Sequence, residues 1–318
     1  MKNLKRMLCF LLLLGALLLN GTVSWEGTKV EANHPVLVEG NCDSPVPGTT
    51  LVAPGTCGDF DGDGRIGTAE DTDGADRIFG TLRAALGPGT GAAAGTGANH
   101  NGSILIVKSG RFAETLVIGE EITPGDGGVP SPGTPGNVTI EAAPGVDANI
   151  DAVFQGDPAG GNNTRQALPG IIVNYGAAVP NRSVTLRNLK IRNFFEGVHV
   201  QGFSRVNIDN CVFENNLEHG VNIVDNASVA VSNSQFNANG RRIGTAPNNT
   251  PSPGTGNGIA ARNSSRLRVN NTTISHSFNA GLVQTDSAEV AIYRVKTYFN
   301  NPDIAGGVFI FPHPNFAL

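Results

Sequence analysis

An acidic, glycine-rich segment near the N-terminus has the spacing of a cation-binding loop. The segment is DFDGDGRIGTAE, residues 59–70. The residues that would offer oxygen ligands stand at its positions 1, 3, 5, 7 and 12: Asp59, Asp61, Asp63, Arg65 and Glu70. Arg65 would contribute its backbone carbonyl, and the four acidic residues would contribute carboxylate oxygens. Calcium takes about 6–8 such oxygen ligands, so the spacing predicts a Ca²⁺ site.

This segment resembles the twelve-residue calcium loop of EF-hand proteins. Gly64 stands at position 6, where the loop turns sharply, and Ile66 stands at position 8, which is commonly apolar. The residues before Asp59 lack a helical pattern, and a second acidic run, DTDGAD, follows Glu70. The resemblance is therefore to a lone, dockerin-like calcium loop that stabilises structure. Two alternatives stay open: the second acidic run shares the ion, or the segment is a metal-free surface turn.

Four residues in the middle of the chain are candidates for a catalytic or binding site: Arg187, Lys190, Arg192 and His199. The three cations would form a strip that binds carboxylates. The alternative is structural, because opposite charges on the next repeat, Asp209 and Glu214, would pair with two of these cations. The sequence places no carboxylate beside His199. No outward column holds the two adjacent carboxylates that glycoside hydrolysis needs.

These candidates are positioned by a sequence repeat. Its copies begin at Val184, Val206, Val229, Leu267 and Val290, at spacings of 22, 23, 38 and 23 residues. The long spacing contains about 15 inserted residues rich in Pro, Gly and Asn, which indicate a loop. Each copy alternates apolar and polar residues, the pattern of a strand with one buried face. Two such strands are followed by a Gly and a third strand, so the repeat predicts a parallel β-solenoid.

Stacking the repeats predicts which residues become neighbours. The third strands are GVHV (197–200), GVNI (220–223), GIAA (258–261), GLVQ (281–284) and GVFI (307–310). One predicted outward column is His199, Asn222, Ala260, Val283 and Phe309. Another column is Asn188, Asn210, Asn233 and Asn271, placed at a corner where asparagine tolerates unusual backbone angles. Stacked amides of this kind can form a hydrogen-bonded ladder.

With the pattern V-x-I-x-N-x-x-F-x-N-N…G-V-x-I, residues 104–311 resemble the right-handed parallel β-helix family of pectate-lyase-like proteins. The resemblance implies an all-β fold, a right-handed parallel β-helix whose open N-terminal end is covered by a short helix. The segment ADRIFGTLRAAL (75–86) has helical spacing and resembles that cap. The family includes lyases, hydrolases, epimerases and adhesins, so the resemblance does not define an activity.

The sequence divides into three regions. Residues 1–32 have the basic start and short apolar run of a signal peptide, with cleavage after Ser24 or Ala32. Residues 33–74 are interpreted as a linker that carries the calcium loop, and residues 75–318 as the β-helix. The apolar run is too short to span a bilayer. We therefore expect an exported, extracellular chain without a membrane span in its mature form.

The net charge of the chain indicates which partners it can bind, and its cysteines indicate which cross-links it can form. The net charge of −5 disfavours a nucleic-acid partner, which would require a basic patch. Export permits a disulfide between Cys42 and Cys57, whereas Cys211 stands at an inward strand position and is expected to be a buried, inert thiol.

The favoured function is that of a calcium-stabilised β-helix module without a catalytic centre, which contacts carbohydrate or a cell-surface glycan. The alternative is a polysaccharide lyase or related enzyme acting on uronate-rich glycans, so whether the protein is an enzyme stays open. A third possibility is that the calcium loop docks the chain to a larger assembly. The ligand and the oligomeric state are not determined by the sequence.

Overall fold

The structure is a computed structural model. It describes residues 36–39, 50–51, 65–66, 82, 104–109, 111–112, 115–119, 137–143, 145–146, 153–155, 168–176, 182–240, 256–300 and 304–305. The chain divides into two units, residues 1–32 and 33–318, and every described residue belongs to the second unit.

The described residues are organised as short strands. In chain order these are β1 (Val36–Glu39), β2 (Thr50–Leu51), β3 (Arg65–Ile66), β4 (Ile104–Ser109), β5 (Arg111–Phe112), β6 (Leu116–Gly119), β7 (Asn137–Ala142), β8 (Val153–Gln155), β9 (Ile171–Tyr175), β10 (Ser183–Arg187), β11 (Lys190–Arg192), β12 (Glu196–Gly202), β13 (Arg205–Asp209), β14 (Val212–Glu214), β15 (His219–Ile223), β16 (Ser228–Ser232), β17 (Gln235–Asn237), β18 (Asn257–Ala261), β19 (Arg266–Asn270), β20 (Thr273–Ser275), β21 (Leu282–Gln284), β22 (Glu289–Tyr293), β23 (Lys296–Tyr298) and β24 (Ile304–Ala305).

Three parallel sheets are built from these strands. The first sheet has the order β1-β4-β7-β10-β13-β16-β19-β22. The second sheet runs from β5 to β23 in steps of three strands, and the third sheet runs from β6 to β24 in the same way. Each coil of the chain therefore adds one strand to each sheet. This is a parallel β-helix with three strands per coil, as the repeat predicted.

The register of the first sheet follows the sequence repeat. Val184 pairs with Val206, and the series continues through Val229 and Leu267 to Val290. The 38-residue spacing does not disturb the register, because Asn222 still pairs with Ala260 across it. The predicted column of His199, Asn222, Ala260 and Val283 is confirmed in register, although Asn222 and Ala260 are buried.

The two ends of the long insertion meet at a pair of glycines. The Gly240 amide donates to the Asn216 carbonyl at 2.8 Å, so the chain is still in the stack at this point. A Cβ atom added to Gly240 would overlap the carbonyl of Gly256, and Gly240 has a φ of 82°. Only glycine permits both the close approach and this backbone angle. The chain therefore leaves the stack and returns to it at one place.

The core consists of inward side chains stacked coil upon coil. The rings of Phe213 and Phe236 lie parallel, with centroids 4.7 Å apart and an interplanar angle of 8°. Both rings are fully buried, and burial of each contributes roughly 1.5–3 kcal/mol. Cys211 is also fully buried, and burial raises its pKa to about 12. The prediction of a buried, inert thiol is confirmed, because the reactive thiolate is not populated near neutral pH.

The asparagine column lies at left-handed corners. Asn188, Asn210, Asn233 and Asn271 have φ values of 55°, 51°, 51° and 46°. The side-chain amide of Asn210 donates to Asn188 at 2.8 Å, and that of Asn271 donates to Asn233 at 2.8 Å. The ladder has a gap, since Asn233 donates to Asp209 instead of Asn210. The predicted column is confirmed as two ladder steps separated by this gap.

A second amide ladder lies inside the coil and was not expected from the sequence. The Nδ2 atom of Asn216 donates to Oδ1 of Asn239 at 2.9 Å, and Nδ2 of Asn239 donates to the Phe213 carbonyl at 3.0 Å. Both asparagines are fully buried. Their amides satisfy backbone groups at a corner where strand pairing is interrupted.

The N-terminal part differs from the expectation of a linker over residues 33–74. Strand β1 pairs in parallel with β4, and Val38 belongs to the apolar core. Leu82, within the expected capping helix, has a helical backbone and is buried in the same core. The rest of residues 75–86 lies outside the described residues.

Strand pairing in the last coil contradicts one prediction made from the sequence. The third strand of that coil is β24, not GVFI (307–310), because Leu282 pairs with Ile304 and Val283 pairs with Ala305. Ala305 therefore occupies the place beside Val283 that was predicted for Phe309, and Phe309 itself lies outside the described residues. The prediction followed a Gly-Val motif, whereas the constant length of a coil decides the register. Among the residues that the structure describes, no helix has the length and apolar character required to cross a membrane.

Candidate functional site

A groove crosses five successive coils on the outer face of the first sheet. Its floor is a column of paired residues: Ser183, Arg205, Ser228, Arg266 and Glu289. The groove has a volume of about 1070 Å³. Neighbouring strands lie ~4.8 Å apart, so the floor extends over roughly 19 Å along the axis of the stack. The groove is therefore suited to an elongated ligand that lies across the strands.

The sides of the groove come from two further columns. One side consists of turn residues: Phe203, Asn226, Ser264 and Ser287. The other side consists of Asn207, Ala230 and Arg268, which are outward residues of β13, β16 and β19. The Phe203 side chain is 46% exposed, an unusual position for a large apolar ring. The lining thus combines hydroxyls, amides, guanidinium groups and one aromatic ring.

The guanidinium groups give the groove its charge. Arg266 forms an ion pair with Glu289, with an Nε–Oε2 distance of 3.2 Å. Within the described part of the chain, neither Arg205 nor Arg268 forms a salt bridge. All three arginines are exposed. Two cationic groups that form no salt bridge with another described residue therefore face the ligand space.

Sequence reasoning missed this groove, although the signal was present. Val184 and its equivalents face the core, so the residue before each of them faces outward by the two-residue alternation of a strand. That position holds Ser183, Arg205, Ser228, Arg266 and Glu289. The floor of the groove was therefore predictable as the column one residue N-terminal to Val184 and its equivalents.

Arg187 does not contribute an open cationic site. Its Nη1 atom lies 3.0 Å from Oε2 of Glu141, and its Nε atom lies 3.7 Å from Oδ2 of Asp209. The pairing with Asp209 on the next coil agrees with the structural alternative. Exposed pairs of this kind contribute only about 0.2–1 kcal/mol each.

Lys190 and Arg192 share one carboxylate. Lys190 Nζ lies 2.8 Å from Oε1 of Glu214, and Arg192 Nη1 lies 3.2 Å from the same oxygen. The sequence predicted the Arg192 pair but not the Lys190 pair. Since Arg187, Lys190 and Arg192 all lie beside carboxylates, the cationic strip expected along this face is neutralised.

His199 does have a carboxylate partner, which corrects the sequence interpretation. Its Nδ1 atom lies 2.6 Å from Oε2 of Glu196, and its Nε2 atom lies 3.1 Å from Oε1 of Gln201. Oε1 of Glu196 accepts a hydrogen bond from Asn222 at 2.7 Å. Burial alone would lower the pKa of His199. The hydrogen bonds of Glu196 and Gln201, together with the negative charges of Glu196 and Asp225, outweigh burial and raise that pKa above its ordinary value.

The glycine at position 197 explains how the Glu196 side chain reaches the ring of His199. A Cβ atom on Gly197 would lie 2.8 Å from Cδ1 of Phe213, so this position faces the interior. Val198 is buried in the core as well. Two consecutive inward positions interrupt the alternation, and Glu196 and His199 consequently lie on the same outer face.

Glu218 and His219 extend this cluster onto the next coil. One ligand atom each from Glu196, Glu218 and His219 lie within 4.8 Å of one another. Burial and then the charge of Glu196 raise the pKa of Glu218. Burial lowers the pKa of His219 to about 4, so its ring is neutral at pH 7. Two carboxylates are thus neighbours at a corner, although no outward strand column predicted such a pair.

The cluster is a poor metal site and a poor catalytic site. The backbone amide of Asn257 donates to Nδ1 of His219 at 3.1 Å, so this ring nitrogen is not open to a metal ion. Nε2 also lies 2.8 Å from Nη2 of Arg262, a cation that would repel a metal ion. The Glu196 and His219 side chains are 4% and 0% exposed. A polymeric substrate cannot reach them, so the groove of the first sheet is the accessible candidate site.

The calcium prediction falls mostly outside the described residues, which include neither Asp59, Asp61, Asp63 nor Glu70. At positions 7 and 8 of the segment, Arg65 and Ile66 form β3, which pairs in antiparallel fashion with β2. The Ca²⁺ site stays a prediction. The same holds for the disulfide between Cys42 and Cys57, which lie outside the described residues.

Comparison with a protein-family model agrees with the architecture. Residues 169–317 match a protein-family model described as "Right handed beta helix region". The fold of this chain is a right-handed parallel β-helix. A solved structure titled "Crystal structure of pectate lyase Pel9A" is similar, with a TM-score of 0.48 and 13% sequence identity. The similarity covers 91% of this chain but only 58% of that one. A search of curated proteins gives no match.

Proposed function

We propose that this protein is a secreted, non-catalytic β-helix protein that binds an acidic polysaccharide in the groove of the first sheet. The observation that supports this proposal is the groove itself. Five coils line it, and it holds two exposed arginines, Arg205 and Arg268, that form no salt bridge with another described residue. Its length across the coils fits an extended chain of several sugars.

The lining chemistry matches the parts of an acidic sugar. A planar guanidinium group can hold a carboxylate or sulfate through two parallel hydrogen bonds. The hydroxyls of Ser183 and Ser228 and the amide of Asn207 offer partners for sugar hydroxyls. The exposed ring of Phe203 offers an apolar face for a sugar ring to pack against. Positively charged, neutral polar and aromatic contacts are thus combined along one groove.

Calcium and export belong to the same proposal. A Ca²⁺ ion held by Asp59, Asp61, Asp63, Glu70 and the Arg65 carbonyl would stabilise the segment that leads into the β-helix. The signal-peptide pattern of residues 1–32 supports an extracellular location, where polysaccharides and cell-surface glycans are found.

Binding of acidic polysaccharides to the purified exported chain tests the proposal. We expect the Arg268→Ser variant to bind at least tenfold more weakly, because a charge-assisted pair contributes about 1.5–3 kcal/mol. The matched control is Arg294→Asn, which removes the same charge from an exposed corner outside the groove. This control should bind like the unmodified protein.

Two results would contradict the proposal. One is the absence of binding to any acidic polysaccharide, and the other is an equal loss of affinity in both variants. Ultraviolet absorbance followed in the same samples detects unsaturated sugar ends. Their formation would show that the protein is a lyase instead of a binding module.

A further inference from the structure

We propose that the groove recognises the spacing of negative charges along its ligand, and that it fits a polysaccharide with one anionic group for every two sugars. This inference rests on the proposed function and specifies the ligand class of the same site. Its basis is the order of side chains along the groove floor.

Hydroxyl and guanidinium groups alternate from coil to coil. Ser183 pairs with Arg205, Arg205 pairs with Ser228, and Ser228 pairs with Arg266. The arginines of the floor are therefore two coils apart. At ~4.8 Å per strand spacing, this separation is on the order of 10 Å.

The second outward column has the same period. Asn207, Ala230 and Arg268 stand beside Arg205, Ser228 and Arg266 on their respective strands. Strand β16, between the two cationic strands, thus presents only Ser228 and Ala230 as outward side chains in the groove. Both side chains are small and uncharged. Positive charge in the groove occurs on alternate coils.

The coil that follows Arg266 carries a negative charge in the floor of the groove. Glu289 follows Arg266 in the floor column and pairs with it at 3.2 Å. Its carboxylate compensates the charge of Arg266, so Arg268 supplies the positive charge of that coil that no described residue compensates. An anionic group placed over Glu289 would be repelled. The groove therefore provides two favourable anion positions, at Arg205 and Arg268, followed by an unfavourable one.

This charge pattern defines the ligand. A sugar in an extended polysaccharide advances by a distance comparable to the ~4.8 Å between strands. Anionic groups on alternate sugars would meet Arg205 and Arg268, and the neutral sugar between them would lie over Ser228 and Ala230. An anionic group forced over Ser228 would lose water without gaining a cationic partner, which costs free energy.

The test compares two acidic oligosaccharides of equal length at the same ionic strength. In one, acidic and neutral sugars alternate, and in the other every sugar is acidic. We expect the alternating chain to bind at least as tightly, although it carries half the charge. Simple charge attraction predicts the opposite order, because affinity would rise with the charge of the ligand. Tighter binding of the fully acidic chain would overturn the inference but leave the proposed function intact.

A variant with an added charge makes the test independent of the ligand preparation. Ser228→Arg fills the gap between the cationic coils and should shift the preference toward the fully acidic chain by about tenfold. Asn270→Arg is the control, since it adds the same charge to β19 outside the groove. An equal shift in both variants would overturn the inference. Failure of both oligosaccharides to bind the unmodified protein would instead refute the proposed function.

Discussion

The Nδ1 atom of His199 lies 2.6 Å from Oε2 of Glu196, a carboxylate that is almost completely buried. On the next coil His219 pairs in register with Glu196 and is itself fully buried. The two histidines therefore share one carboxylate environment, yet their pKa values move in opposite directions. The pKa of His199 is raised because Glu196 contacts it directly, and the pKa of His219 is lowered by burial.

Because the pKa of His219 is lowered in the folded chain, we expect the protein to lose stability in mild acid. That pKa is about 4 in the folded chain and 6.5 in the unfolded chain, so between these values only the unfolded state is protonated. Stability is full above pH 6.5 and falls as the pH decreases toward 4, by on the order of 3 kcal/mol. Urea unfolding at a series of pH values measures this change. The variant His219→Asn, which places the residue of the next coil here, should flatten the pH dependence.

The control for that experiment is His276→Gln, because His276 is exposed. It should retain the pH dependence of the unmodified protein. An unchanged slope in His219→Asn would show that other groups cause the acid instability.

The Glu196→Gln variant tests the origin of the His199 shift. Removing the negative charge leaves burial as the dominant influence, so the pKa of His199 should fall below its ordinary value. In the unmodified protein the raised pKa contributes stability that is present below pH 6.5 and is lost as the pH rises through the folded value. Nuclear magnetic resonance titration of the His199 ring measures both states. A pKa that stays raised in Glu196→Gln would assign the shift to Asp225 or to Gln201 instead.

Variants of two phenylalanines should separate the effect on folding stability from the effect on polysaccharide binding. Phe236→Ala removes a ring stacked on Phe213 and should destabilise the fold by about 3–5 kcal/mol. Phe203→Ala removes an exposed ring from the groove, so the free energy of unfolding should stay within about 0.5 kcal/mol. Polysaccharide binding should nevertheless weaken in Phe203→Ala. Urea unfolding and binding isotherms of the two variants measure both effects, and unchanged binding would remove Phe203 from the site.

Calcium removal tests the N-terminal loop. We expect the exported chain to retain one Ca²⁺ in elemental analysis and to melt at a lower temperature after chelation, since an ion bound only to the folded state stabilises it. Asp59→Ala combined with Asp61→Ala should lose the ion and melt like the chelated protein. Absence of calcium together with an unchanged melting temperature would eliminate the site.

The repeat made the sheet register predictable. In a β-helix each pairing is repeated coil after coil, so the period alone placed His199 beside Asn222 and Arg192 beside Glu214. The groove was predictable in principle, because Arg205 occupies an outward position fixed by the neighbouring Val206. The neutralisation of Lys190 was not predicted, since its partner Glu214 lies diagonally on the adjacent strand.

Local departures from strict alternation could not be deduced from the period. Counting back by two residues from Val198 assigns Glu196 to the interior. Two consecutive inward positions, Gly197 and Val198, instead place Glu196 on the face of His199. The end of the array was misplaced for a related reason. The motif at residues 307–310 has the composition of a third strand, but the coil length had already assigned that strand to Ile304 and Ala305.

The contact between Gly240 and Gly256 determines where the chain can vary in length without disturbing the β-helix. Because the stack is continuous across this contact, with Asn222 still paired with Ala260, the registers on either side do not depend on the length of the segment between the glycines. Entropy of loop closure grows only slowly with length. Foreign sequences could be grafted at this position, and natural variation in length is expected to accumulate there, while the coils on both sides keep their partners.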